Sequence, residues 1–357
     1  MKVKSVIANL LLLVVSVGVG LAAAESYLAY DNWHPNTSEY LTEVRLNGTT
    51  YRFIERRAAI DDAKNAVLIA GDSFTAGNAC AAGKTFPDAF TSAATQQGRP
   101  VHAVNMGVPG TGPFSYALRL KDYFSEKGPT AGAIMTLYAN DAEIDCQVCR
   151  HLDEWAKLGA FSAEEQVELR KLCGVCFRQD NVQPVAGEVN STRRFNWWLA
   201  DHSLSYQLFR EMGARLAVKT GLLKVDWGRA AFPRRWEDRD GLYFKYVQAS
   251  VTYAKREAAS QGVPLMVVIY PDPIGLNTQN EFVGIYNRAR EALTAATGVP
   301  VYSGYDAFLG NPASRDTMVF SLSDAHPNCE AHGIFGRWVY ETWAKLHPSD
   351  RQITPKG

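Results

Sequence analysis

From Asn65 onward, short and predominantly apolar runs alternate with longer stretches whose apolar residues recur every three or four positions. The runs at 66–70, 101–106, 133–138, 264–270 and 299–303 are too short for buried helices and lack strict polar alternation, which is how strands covered on both faces read. Helical patterns occupy 112–127, 282–297 and 331–346, the last with Ile334, Trp338, Val339 and Trp343 along one face. Strands alternating with helices predict an α/β fold: a three-layer sandwich around a five-stranded parallel sheet. The interval from the third strand to the fourth exceeds a simple crossover, so about 141–261 reads as a helical insertion within a domain spanning 65–347. Residues 26–64 show no strong period and read as a connecting segment packed on that domain.

The N-terminal segment, residues 1–25, has a different pattern. Lys2 and Lys4 precede an uncharged run from Ser5 to Ala24, and Ala22-Ala23-Ala24 ends it. The small residues before Glu25 suit a cleaved export signal, whose apolar region is about 7 to 15 residues. The run here has 20 residues, enough to span a bilayer as an uncleaved anchor. Under either reading, the lysines stay in the cytoplasm and the rest of the chain lies outside it, periplasmic or extracellular, anchored in the membrane or secreted.

Charge narrows the choice of partner. With 37 basic and 37 acidic residues in 357, the chain has no net field to draw phosphates, which excludes nucleic acid as the first hypothesis. A 46% hydrophobic share with 11% aromatic residues supports a sizeable core and argues against disorder.

Candidate chemistry collects at the ends of the strands. The first strand runs into Gly71-Asp72-Ser73-Phe74-Thr75-Ala76-Gly77, a turn that offers a hydroxyl at the edge where open α/β sheets bind substrates. An isolated triplet of this kind reads as an ordinary strand-to-helix turn with Ser73 as an N-cap. Three later blocks alter that balance: Asn105-Met106-Gly107-Val108-Pro109-Gly110, Tyr138-Ala139-Asn140-Asp141, and Ser323-Asp324-Ala325-His326-Pro327-Asn328. Together they supply a nucleophile, a base, an orienting carboxylate and oxyanion donors, as acyl transfer requires.

In these four blocks the sequence resembles the SGNH, or GDSL-type, hydrolases. Ser73, Gly107, Asn140 and His326 stand in that family's order, over most of residues 65–345. The GDSFT first block followed by Thr85-Phe86-Pro87 resembles one subgroup in particular. The resemblance implies an ester hydrolase in which Ser73 attacks, His326 moves the proton and Asp324 orients His326. The backbone N–H groups of Ser73 and Gly107, with the Asn140 side chain, would hold the oxyanion. Two positions depart from the pattern: Tyr138 replaces a glycine in the third block, and Ser323 replaces the acid three residues before the histidine. Asp324, two residues before, can still reach His326 if the loop is extended.

Six cysteines in an exported chain are disulfide candidates first. Cys146 with Cys176 and Cys149 with Cys173 share one centre of symmetry and would form nested bridges across a helical hairpin. Structural zinc is the rival, although the 23 residues between the pairs exceed its usual spacing of about 15–20. Cys80 and Cys329 follow Ser73 and His326 at short intervals, so they either bridge or stay as two buried thiols. Trp197, Trp198, Tyr206 and Phe209 fall at helical spacing and read as packing rather than sugar stacking. His34, His102, His151, His202 and His332 show no metal-ligand spacing.

The reading is an exported esterase for acyl esters, acetyl esters on glycans among them, with no metal or organic cofactor. An O-acyltransferase using the same groups, and a non-catalytic glycan-binding module, are the alternatives.

Overall fold

A computed structural model describes residues 16, 19–20, 22–23, 41–54, 57–77, 80, 83–142, 162–164, 166–167, 170, 236–271, 281–309, 319–321 and 324–348. The chain divides into two units, Met1–Asn36 with Val182–Asp226, and Thr37–Asn181 with Trp227–Gly357. The expected helical hairpin with Cys146, Cys149, Cys173 and Cys176, and the aromatics 197–209, lie outside the described residues. Most of the N-terminal segment does too. Among the described residues no helix is long and apolar enough to cross a membrane.

The second unit opens with a hairpin, β1 (Leu41–Leu46) and β2 (Thr49–Ile54), paired antiparallel across Asn47-Gly48. Both turn residues have positive φ, the type I′ geometry that matches strand twist, and Asn-Gly tolerates it. Val44, Leu46 and Phe53 are buried, and Asn47 and Tyr51 hydrogen-bond to Asp122. The stretch read as a connecting segment therefore contains a packed hairpin. A short helix α1 (Arg57–Asp61) leads into the main sheet.

That sheet holds β3 (Ala66–Gly71), β4 (His102–Gly107), β5 (Gly132–Leu137), β6 (Leu265–Ile269) and β7 (Val301–Ser303) in the spatial order β4-β3-β5-β6-β7, all parallel. Every residue of β3 and β5 is buried, as strands with both faces covered must be. The helices in chain order are α2 (Ser73–Ala76), α3 (Phe86–Gln96), α4 (Pro113–Lys127), α5 (Leu242–Ser260), α6 (Glu281–Thr297) and α7 (Cys329–Leu346). α3 packs on α7, and α4 packs on α5, which also meets α6. Right-handed crossovers put the first pair on one face and the other three on the opposite face. The expected three-layer α/β sandwich is thus the observed fold.

Leu242–Ser260, expected inside the insertion at 141–261, is instead the crossover helix from β5 to β6. A parallel connection needs such a helix, and its apolar side, including Tyr246, Val247 and Val251, is buried in the core.

The chain leaves β3 toward β4 and then reverses, so β3 and β5 are neighbours whose following helices lie on opposite faces. The crevice beyond their carboxyl ends is the switch point of the sheet, the place where open α/β folds bind ligands.

Candidate active site

Ser73 stands at that switch point. β3 ends at Gly71, Asp72 caps the four-residue helix α2 by accepting the Phe74 N–H (2.9 Å), and Gly77 closes it in the left-handed region with φ 83°. The capped turn projects the half-buried Ser73 from the sheet's end. His326 comes from the far end of the chain, on β9 (Asp324–Pro327), which pairs with β8 (Val319–Ser321). Its Nε2 lies 2.7 Å from Ser73 Oγ, across 253 residues of sequence. The separation is that of a nucleophile and its base. The expected pair is therefore brought together.

An aromatic stack that the sequence did not suggest holds this base. Phe74 lies between His326, with ring centroids 4.8 Å apart, and Tyr138, at 3.7 Å, while Tyr270 tilts against Phe74 at 5.4 Å. Tyr138, the third-block position that departs from the expected glycine, is thus one layer of the wall beneath His326. Six residues after His326 comes a second, fully buried imidazole: His332 accepts the Phe86 N–H through Nδ1 (3.2 Å) from the first turn of α7, where burial, with a smaller electrostatic contribution from His326, drives its pKa down to about 3.

Of the other expected groups, Asp324 lies on β9 beside the base, with its side chain outside the described residues. Asn140 is exposed in the single turn Ala139–Ala142 that follows β5. That turn is fixed from below: Asp141 accepts the Tyr138 N–H (2.7 Å), and Trp236 Nε1 donates to the Ala139 carbonyl (3.0 Å).

Gly107 requires a correction. Its N–H donates inward to Asn105 Oδ1 at 3.0 Å and is committed there, so it is not offered to an oxyanion. A Cβ on Gly107 would stand 2.2 Å from the Ala76 backbone nitrogen, which makes this a glycine of close approach between β4 and α2.

Cys80 and Cys329 form a disulfide, with Cα atoms 4.8 Å apart and 249 residues between them in sequence. It ties the segment after the nucleophile turn to the start of α7, three residues after His326. Of the two readings left open, the bridge is the one observed.

Beneath Ser73 lies a buried charge cluster. Asp72 is 3% exposed and its carboxyl is raised to about 6, because burial outweighs the Phe74 N–H and the electrostatic influence of His326 and Arg119. Arg119, 2% exposed, donates through Nη2 to the Gly71 carbonyl (2.8 Å). Its Cζ stands 5.3 Å from the centre of the Tyr116 ring. Among the described residues no group of three or more metal-ligating side chains occurs.

No family model and no curated protein matches the chain. Among solved structures it is similar to the psychrotrophic esterase EstA from Pseudoalteromonas sp., at 12% identity and a TM-score of 0.42, over 79% of this chain and 98% of that one. It is also similar to a lipolytic protein of the G-D-S-L family from Desulfitobacterium hafniense (12% identity, TM-score 0.39, 78% and 99% of the two chains) and to TesA (13%, 0.41, 79% and 99%).

Proposed function

We propose that the protein is an exported serine esterase that cleaves acyl esters, acetyl esters on glycans among them. The observation that carries the esterase reading is the contact between Ser73 Oγ and His326 Nε2 at the switch point of the sheet. A half-buried hydroxyl held on an imidazole at a ligand-binding edge has a direct use in nucleophilic catalysis.

In the first half-reaction His326 Nε2 takes the hydroxyl proton as Ser73 Oγ bonds to the ester carbonyl carbon. For this the imidazole must carry its own proton on Nδ1, and Asp324 is the group assigned to hold that tautomer. The resulting oxyanion is met by the Ser73 N–H, one of those that a helix start leaves without an intrahelical acceptor, and by the Asn140 side chain. Collapse expels the alcohol, which receives the proton from His326 and leaves an acyl-serine. Water then enters by the same route, with His326 as base, and releases the acid.

Support for an oxidising compartment comes from the Cys80–Cys329 bridge together with the N-terminal pattern of lysines and apolar residues.

Steady-state hydrolysis of a short-chain aryl ester tests the reading. Ser73→Ala and His326→Ala should each abolish turnover, and the double variant should be no worse than either, since the pair acts as a unit. Asn140→Ala should lower kcat by about 10²- to 10³-fold with little change in KM, because its donor meets charge present only in the transition state. Full activity in Ser73→Ala would end the esterase reading.

A further inference from the structure

Three of the loops at the switch point are joined below the surface by two residues of one helix. Tyr116 and Arg119 are three apart on α4, hence on one face, and both are fully buried. Arg119 reaches the first loop through the Gly71 carbonyl (2.8 Å), which also accepts the Val108 N–H (3.0 Å). Through Nη1 it reaches the second loop at Thr111 Oγ1 (3.3 Å), and that hydroxyl donates to the Val108 carbonyl (2.7 Å). The Tyr116 hydroxyl lies 2.9 Å from the Thr111 carbonyl and 2.7 Å from Asp141 Oδ1, so it joins the second loop to the third. Asp141 in turn fixes the Tyr138 N–H at the start of the turn that bears Asn140.

We propose that Tyr116 and Arg119 are positioning residues, a buried brace that sets the spacing between Ser73 on the first loop and Asn140 on the third. A brace for packing alone would not need them. Apolar side chains of similar volume fill such space at lower desolvation cost, and replacing buried ionic groups in this way is often neutral or stabilising. What an apolar filling cannot do is hold Gly71, Thr111 and Asp141 at fixed distances through directed hydrogen bonds. Oxyanion donors are sensitive to such spacing, because they work only within about 2.7–3.1 Å of the developing charge. The inference rests on the esterase reading above.

The test is kinetic and uses the full chain. Tyr116→Phe keeps the ring and removes only the hydroxyl. Thr111→Val removes the acceptor of Arg119, and Thr111→Ser restores it. Tyr116→Phe and Thr111→Val should each lower kcat on an aryl ester at least about fivefold with KM within about twofold, since misplaced donors act on the transition state. Thr111→Ser should retain most of the wild-type kcat, and the double variant should lose far less than the product of the single losses, as groups in one network do. Smaller losses in kcat, losses that multiply, or a rise in KM at constant kcat would each overturn the brace. An inactive wild type would remove the esterase reading first, and is told apart because it needs no variant.

Discussion

Two imidazoles six residues apart have opposite environments in this fold. His326 is half-buried against Ser73, whereas His332 is fully buried, with the Phe86 N–H donating to it. His332 therefore stays neutral in the folded chain down to about pH 3, while in the unfolded chain it takes up a proton near its ordinary value of 6.5. Between those limits unfolding binds a proton, so the stability tied to His332 is fully present above about pH 6.5 and is lost as pH falls toward 3. Asp72 acts in the reverse sense. Its folded pKa lies above its unfolded one, so its contribution is present below about pH 4 and is lost as pH rises through about 6. Because the two overlap, the His332 effect is read by difference. His332→Gln keeps an acceptor for the Phe86 N–H but does not titrate. The gap in Tm between wild type and His332→Gln should narrow steadily from pH 7 to pH 4, and parallel profiles would show that His332 does not stay neutral on folding.

Which single residues were legible follows from the same physics. Ser73 and His326 were readable because their chemistry demands those side chains in those blocks. Gly107 was misread because the use of its N–H depends on Asn105 folding back on its own strand, a local choice without a sequence signature. Arg119 was missed because a charged residue in a helical pattern reads as a solvent-facing position, and Tyr116 because a tyrosine there reads as plain packing; only the arrival of three loops on one helix face gives both their partners.

At the scale of elements, the segments that bear Ser73 and His326 are joined by the Cys80–Cys329 bridge, from just after the Ser73 turn to the start of α7, as well as by the Ser73–His326 contact. A crosslink closing a 249-residue separation strongly restricts the unfolded chain. Cys80→Ser with Cys329→Ser should lower unfolding stability by about 2–5 kcal/mol in denaturant titrations, and kcat should fall as the two loops drift apart. Unchanged stability and kcat would show that the bridge is incidental to the site. The five parallel strands were legible to within two residues at most ends, since buried strands between helical patterns have few other readings. The β1–β2 hairpin was not, although Asn47-Gly48 with Val44, Leu46, Tyr51 and Phe53 around it is a hairpin signal; six-residue strands give too short an alternation to stand out. The crossover helix Leu242–Ser260 was absorbed into the insertion because an amphipathic helix looks the same in sequence whether it covers a sheet or belongs to an added lobe.

For the molecule as a whole, the fold brings residues 73 and 326 into contact while the sheet reverses its winding beside them, and the esterase account stands on that meeting. The most direct measurement is covalent capture of the full chain by a fluorophosphonate, a reagent that an activated serine attacks and an ordinary surface serine does not. Intact mass should show one adduct per chain, and peptide mapping should place it on Ser73. Labelling should disappear in Ser73→Ala and fall sharply in His326→Ala. No adduct on Ser73 in folded wild-type protein, or equal labelling with His326 removed, would contradict the claim that these two residues form a nucleophile and its base.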